Sequence, residues 1–243
     1  MSPNDENSIS HGSGEDTFLP LLVALVLMLV LAPLLQLLPL LVTTLASLVL
    51  LAGLWAVLRD RTFRMFLGAA LLVCLPLRWS AHFFGTQAPL LILLSHATVG
   101  ITFAIMEVAV VVRVLGHQRI TRQTVIGAIC GYLLIAFVFT FGYAVLTFLN
   151  PAAIFVGGHP LAAERITNLE EHVTELMYFS FITLTTVGYG DIVPMAPMAR
   201  SMVILEALAG QLYLAAFVAR LVGAMSKQDT HDVTAKRREE EQR

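Results

Sequence analysis

Between Phe18 and Leu58 the chain runs for 41 residues without one charged side chain. A helix needs about 20 apolar residues to cross the hydrocarbon core of a bilayer. The run is too long for one crossing and suits two, with the break marked by Pro33, Gln36 and Pro39 because proline disrupts helix interiors. This predicts spans at 18–36 and 40–58. A third apolar stretch is bounded by Arg64 and Arg78, only 13 residues apart in between. It reaches the interface if Arg78 snorkels and Trp79, Phe83 and Phe84 form an aromatic anchor. Further spans are expected at 89–112, at 124–149, ending on the turn signal Asn150–Pro151, and at 198–222. Between the last two, VTELMYFSFITLTT (173–186) is apolar, yet as a helix it is only about 20 Å long at 1.5 Å per residue. Such a segment enters the membrane without crossing it, and Asn168 with Glu171 offers it a capping box. The pattern predicts an all-α membrane protein of six transmembrane helices, with a re-entrant helix over 170–184 and an extended segment between the last two spans.

The segment after the re-entrant helix, TLTTVGYGDIVP (183–194), sets Gly188, Gly190 and Asp191 at that depth. Non-helical backbone inside a membrane is tolerated only where protein buries it or where it lines a watery path. The segment must therefore line something.

Composition agrees with a lipid environment. Charged residues are 13% of the chain and mean hydropathy is +0.79, against about 25% charged in soluble domains. A net charge of −2 argues against a nucleic-acid partner. Cys74 and Cys130 each lie inside an apolar run and read as small buried apolar residues; no spacing suggests a disulfide framework or a zinc site. Residues 1–17 contain no Lys or Arg, so they do not open as a signal peptide does, and their Ser, Gly, Asn and acidic content reads as a disordered tail. With six spans, twelve of the fifteen basic residues fall on the side that holds both termini. Arg78, Arg165 and Arg200 fall on the other. The richer side is expected to be cytoplasmic, in a plasma or inner cell membrane. The chain divides into a tail (1–17), a four-helix region (18–120), a last section with outer helix, re-entrant helix and inner helix (121–224), and a short cytoplasmic tail (225–243). That last tail, ending AKRREEEQR, reads as a solvated helix or disordered end and is too short for a soluble regulatory domain. No nucleophile–base pair, phosphate loop or metal cluster is visible, so neither an enzyme nor a cofactor is expected.

Residues 185–191, TTVGYGD, resemble the selectivity filter of potassium channels, with identity over the core TVGYG (186–190). The order outer helix, re-entrant pore helix, motif, inner helix agrees. The resemblance covers about 124–224 and says little of 1–120. It implies passive potassium conduction, with K+ as the permeant ion. A potassium ion must shed water to enter a narrow pore, and carbonyl oxygens replace that water without a net charge that would trap the ion. A strand points successive carbonyls to opposite sides; aiming them at one axis needs left-handed dihedrals at alternate residues, which Gly188 and Gly190 adopt without a Cβ penalty. The implied ligands are the carbonyls of Thr186, Val187, Gly188 and Tyr189 with the Thr186 hydroxyl, and Gly190 completes the filter. Val187 and Tyr189 should point away from the axis. One motif per chain implies a homotetramer. The C-terminal end of each pore helix, near Leu184, presents the negative pole of its dipole to a cation.

By the same resemblance, Thr185, Asp191 and Tyr178 support the filter, Asp191 at its outer mouth bonding to Tyr178 on the pore helix. Some relatives carry a pore-helix glutamate behind the filter. Ile182 stands there, so packing by Phe179, Phe181 and Tyr189 must serve instead. On the inner helix, Gly210 is either a hinge or a close-packing position. Ala207, Gln211, Leu214 and Val218 share a helical face that would line the cavity and gate. Glu206 lies about 100° from that face and is read as a buried strut behind the filter, against a role as cation attractor or proton-sensitive gate. Glu107 poses the same choice, with a partner expected from another span rather than from Arg113. His96 reads as a core histidine, and His82, His159 and His172 as loop or interface residues. Gly127 and Gly131 form a GxxxG that hints at close helix contact. Residues 89–112 contain no arginine, whereas a voltage sensor needs several on one helix, so weak or no intrinsic voltage dependence is expected. Two other classes stay open: an ion-coupled potassium transporter or its translocating subunit, which would carry four degenerate loops in one chain, and a non-conducting regulatory membrane subunit.

Overall fold

The computed structural model describes residues 18–35, 38–57, 61–84, 88–116, 121–161 and 169–241. The expected tail over 1–17, Gln36 of the first break, the Asn168 partner of the capping box, and Arg59, Arg119, Arg165 and Arg243 of the charge bias lie outside the described residues. Seven helices follow in chain order: α1 (Leu19–Leu34), α2 (Pro39–Val57), α3 (Arg61–Phe84), α4 (Pro89–Gly116), α5 (Arg122–Leu149), α6 (Leu169–Leu184) and α7 (Pro197–Glu241). Pro33 falls in the last turn of α1 and Pro39 opens α2, a position where the missing N–H costs nothing.

Among the described residues, four helices are long and apolar enough to cross a membrane: Arg61–Ala81, Pro89–Gly116, Arg122–Leu149 and Pro197–Gly223. The apolar helices Leu19–Leu34 and Leu40–Ala56 are shorter. The third stretch differs from expectation. It does not end at its arginines but forms a helix of 24 residues through Arg64, Pro76 and Arg78. Arg78 does not snorkel either, being only 5% exposed; it faces the bundle, while Phe83 and Phe84 stay exposed and Phe83 stacks on Trp79 at 6.2 Å.

The chain is mostly helical, as expected, and adds a small sheet that the sequence reading did not include. Three short strands, β1 (Ile154–Val156), β2 (His159–Pro160) and β3 (Ile192–Pro194), form an antiparallel sheet in the order β2-β1-β3. Gly157 and Gly158, with φ of +56° and +87°, make the β1–β2 turn, as a two-residue hairpin demands. Pairing Phe155 with Val193 and Val156 with Ile192 ties the segment after the TVGYG motif to the loop after α5. At its C-terminal end α7 continues to Glu241, past the 222 expected for the inner helix. Its last residues are rich in Ala, Lys, Arg and Glu, which favour helix without tertiary support.

α5 is the hub. It begins with a reciprocal cap between Thr121 and Thr124, satisfying two orphan donors of the first turn. Its Phe137 and Phe141 stack on Phe103 of α4 at 5.3 and 5.6 Å. The two glycines of GxxxG serve different neighbours. A Cβ on Gly127 would lie 2.9 Å from Val114 and 3.0 Å from Phe18, whereas one on Gly131 would strike Tyr213 of α7. The span of α5 is 61% buried and that of α7 only 11%. An apolar helix so little covered by its own chain must be covered by lipid or another chain.

Candidate functional site

Helix α6 ends at Leu184, and the chain turns back on it at once. Thr185 N donates to Phe181 O, Thr186 N to Thr183 O, and both Val187 N (2.9 Å) and Gly188 N (3.2 Å) to Ile182 O. These bonds use the orphan carbonyls of the helix end and set where the extended segment starts. Left-handed φ then occurs at every second residue: +60° at Thr186, +55° at Gly188 and +82° at Gly190. The two glycines adopt it freely. Thr186 does not, since a β-branched residue at positive φ is strained by about 1–3 kcal/mol; residue-type reasoning pointed to the glycines and missed it. Alternate left-handed residues cancel the side-to-side alternation of strand carbonyls, so successive oxygens can share a side.

Thr185, Thr186, Val187, Gly188, Tyr189 and Gly190 are all exposed in the chain. Tyr189 is 74% exposed, so packing by Tyr189 against its own chain's short helix is not what the structure shows. Phe179 supplies buried packing instead, edge-on to Tyr143 at 5.2 Å, and Phe181 lies edge-on to Phe137 at 5.5 Å. At the far end of the segment the Tyr178 hydroxyl donates to Asp191 Oδ2 at 2.8 Å, and β3 follows directly, clamped to β1. Arg200 Nε donates to Pro194 O at 3.2 Å on the same side.

Behind this segment lies Glu206 of α7, wholly buried. Tyr143 of α5 donates to its Oε2 at 2.7 Å, and Ser180 of α6 touches its Oε1. Ser180 Oγ is also 2.7 Å from Ala136 O of α5. A second set of bonds lies nearer the end of α6: Tyr132 of α5 donates to Leu184 O at 3.1 Å, and Tyr213 of α7 donates to Ala128 O at 2.8 Å. Gly210 packs against this end. A Cβ there would lie 2.6 Å from Leu184 Cδ1 and 3.1 Å from Leu184 O, and α7 runs unbroken through it. The geometry supplies the close-packing reason for this glycine. One residue further round, Gln211, Leu214 and Val218 are exposed and Ala207 half-buried, on a face separate from the one that holds Glu206, Gly210 and Tyr213.

Sequence reasoning did not single out Tyr132, Tyr143, Ser180 or Tyr213. A signal existed for the tyrosines, since a phenol in the middle of an apolar helix needs a partner. Glu107 and Arg113 are not brought together. Arg113 donates to Ala56 O of α2, and its guanidinium lies 4.9 Å from the Phe18 ring centre. Glu107 keeps a buried oxygen, Oε2, without a hydrogen-bond partner. His96 is buried among α4 and α5, 6.1 Å from Phe141, with Nδ1 unbonded. Arg220 reaches from α7 to Val114 O at the end of α4.

Comparison with known proteins matches residues 128–227, less than half of the chain, to an ion channel family. A stretch of 42 residues is 48% identical to the inward rectifier potassium channel Kirbac3.1 of Paramagnetospirillum magnetotacticum. That stretch is 17% of this chain and spans 14% of the relative's length. No solved structure matches the chain.

Proposed function

We propose that this chain, whose residues 128–227 match an ion channel family and which shares a 42-residue stretch with a potassium channel, is one subunit of a homotetrameric, potassium-selective channel that passes K+ passively. The observation that carries this is the alternation of left-handed φ at Thr186, Gly188 and Gly190 on a segment its own chain leaves uncovered. Four such segments about a common axis would offer rings of carbonyl oxygen from Thr186, Val187, Gly188 and Tyr189, with the Thr186 hydroxyl, in place of water around the ion. Gly190 and Thr185 bound the filter, and Asp191, held by Tyr178, draws cations to its mouth. The exposed apolar residues Val187 and Tyr189 then pack against neighbouring copies. Gln211, Leu214 and Val218 line the cavity below, and Gly210 holds the inner helix to the filter's base.

In this reading α1 and α2 cross the membrane with the four longer helices, giving six spans with both termini cytoplasmic. Residues 121–224 form the pore, and 18–120 surround it. α4 lacks arginine from Pro89 to Val112, so voltage moves too little charge to gate the pore. The likeness to an inward rectifier potassium channel supports the choice of ion.

The test is flux into liposomes under imposed potassium or sodium gradients, wild type against Gly188→Ala. Apart from its two chain neighbours, no described residue has an atom within 4 Å of a Cβ there, so within the chain the substitution acts through backbone conformation, at a cost of about 1–2 kcal/mol for left-handed alanine. Wild type should carry K+ and exclude Na+, and Gly188→Ala should lose that discrimination. Equal K+ and Na+ flux through wild type would reject the reading, and an activation curve steep in voltage would reject the role given to 18–120.

A further inference from the structure

Three oxygen–oxygen contacts meet around Glu206: Tyr143 to Oε2 at 2.7 Å, Oε1 to Ser180, and Ser180 to Ala136 O at 2.7 Å. Two oxygens at such a separation repel unless a proton lies between them. Three contacts therefore need three protons. Tyr143 supplies one and Ser180 supplies one. Ala136 O has none to give, and an ionised Glu206 has none either. If Ser180 turned its proton to an ionised Glu206, its lone pairs would face those of Ala136 O at 2.7 Å. The count closes in one way only, with the third proton on Glu206 Oε1.

We propose that Glu206 is a neutral carboxylic acid that acts as a donor, positioning the filter. Its Oε1–H donates to Ser180 Oγ, Ser180 donates to Ala136 O, and Tyr143 donates to Glu206 Oε2. One chain of bonds then joins all three helices of the pore: α7 through Glu206, α6 through Ser180, and α5 through Tyr143 and Ala136. Glu206, Tyr143 and Ser180 are each wholly buried, so the chain is out of reach of exchange with bulk water. Ser180 lies two residues before Ile182, whose carbonyl anchors Val187 N and Gly188 N. A displacement of Ser180 is therefore a displacement of the filter's first residues.

A neutral donor removes the cost of an unpaired charge in lipid, and it reverses what a buried carboxylate near a cation path is first taken to do. An ionised Glu206 would be an electrostatic attractor, and any neutral replacement would weaken conduction. A protonated Glu206 is a geometric part, and glutamine reproduces it: the amide NH2 donates to Ser180 while the carbonyl accepts from Tyr143.

Two assays on the purified full-length protein separate these. The infrared difference spectrum between wild type and Glu206→Gln should contain the C=O stretch of a protonated carboxylic acid. Carboxylate bands in its place would overturn the proposal. This arm does not depend on ion conduction. The second arm rests on the channel reading: Glu206→Gln should carry K+ within about threefold of wild type with unchanged K+ over Na+ preference, whereas Ser180→Ala, which leaves the acid proton without an acceptor, should lose about tenfold or more in flux or in that preference. A Glu206→Gln protein as impaired as Ser180→Ala would overturn the proposal, as would a Ser180→Ala protein that conducts and selects like wild type. Absence of flux in wild type would refute the channel reading and leave the infrared result to decide the protonation.

Discussion

In α2, α3 and α4, Ser47, Ser80, Thr98 and Thr102 each donate to a carbonyl four residues back on their own helix, at 2.7–2.8 Å. α5 has such bonds too, at Thr140 and Thr147, but the α5–α7 half adds others that leave their helix: Tyr132 to Leu184, Tyr143 to Glu206, Ser180 to Ala136 and Tyr213 to Ala128. A bond within one helix satisfies the hydroxyl and says nothing about the next helix. A bond between helices fixes their register, because sliding either one breaks it. The crossing bonds are concentrated where the TVGYG backbone is anchored to the end of α6. Among the described residues the four-helix half has extensive apolar contact, as at Phe103 and Met106, and crossing bonds that include Arg113 to Ala56 O. Apolar packing tolerates small shifts that hydrogen bonds do not.

The largest test of this contrast compares two glycines. At Gly131 an added side chain would meet the Tyr213 ring, 3.1 Å from Cζ, and press on the hydroxyl that bonds Ala128 O. At Gly68, in α3, nothing lies within 4 Å. Gly131→Val should lower unfolding stability in detergent by about 3 kcal/mol, from overpacking and a lost hydrogen bond. Gly68→Val should change it by less than about 0.5 kcal/mol. Equal effects would mean that the close contact of Gly131 with Tyr213 does not hold α7 to α5. A smaller effect is expected of Tyr132→Phe. It removes the donor from Leu184 O at the end of α6 and leaves ring packing with Tyr213, 6.2 Å away, unchanged. The expected loss is about 1 kcal/mol, read by thermal unfolding, with K+ over Na+ preference lowered more than stability.

The same contrast explains what could be read from the residues. The helical runs and the TVGYG segment were legible, because apolar run length and glycine placement are properties of one segment. So was the Asp191–Tyr178 pairing, though only through resemblance to a family. The sheet was not: Ile154–Val156 and Ile192–Pro194 are too short for a period, and each is a strand only because the other lies beside it. Thr186 was missed because its left-handed φ is imposed by Ile182 O, which holds the two residues that follow. Arg78 looked like an interfacial side chain because a charge beside Trp79 usually is one; its burial is decided by packing within the bundle. Ser180 carried no signal at all. A serine in an apolar helix back-bonds to its own turn by default, and only the position of Glu206 on another helix makes it a link.

Glu107 offers the finest division between the halves. Like Glu206 it is a carboxyl in an apolar helix, but its Oε2 is buried without a hydrogen-bond partner, whereas both oxygens of Glu206 are engaged. A buried polar atom without a partner costs stability, and an apolar group of similar length relieves that cost. Methionine has that length and adapts its shape to irregular gaps. Glu107→Met should therefore leave stability unchanged or raise it by about 1 kcal/mol, with K+ flux intact. The opposite result would be more instructive. If Glu107→Met destabilised the protein as Gly131→Val is expected to, the carboxyl would be held by a partner outside the chain, such as a neighbouring copy or a bound cation. Precise polar fixing would then extend into the four-helix half, and the division drawn between register-setting and shift-tolerant helices would fall.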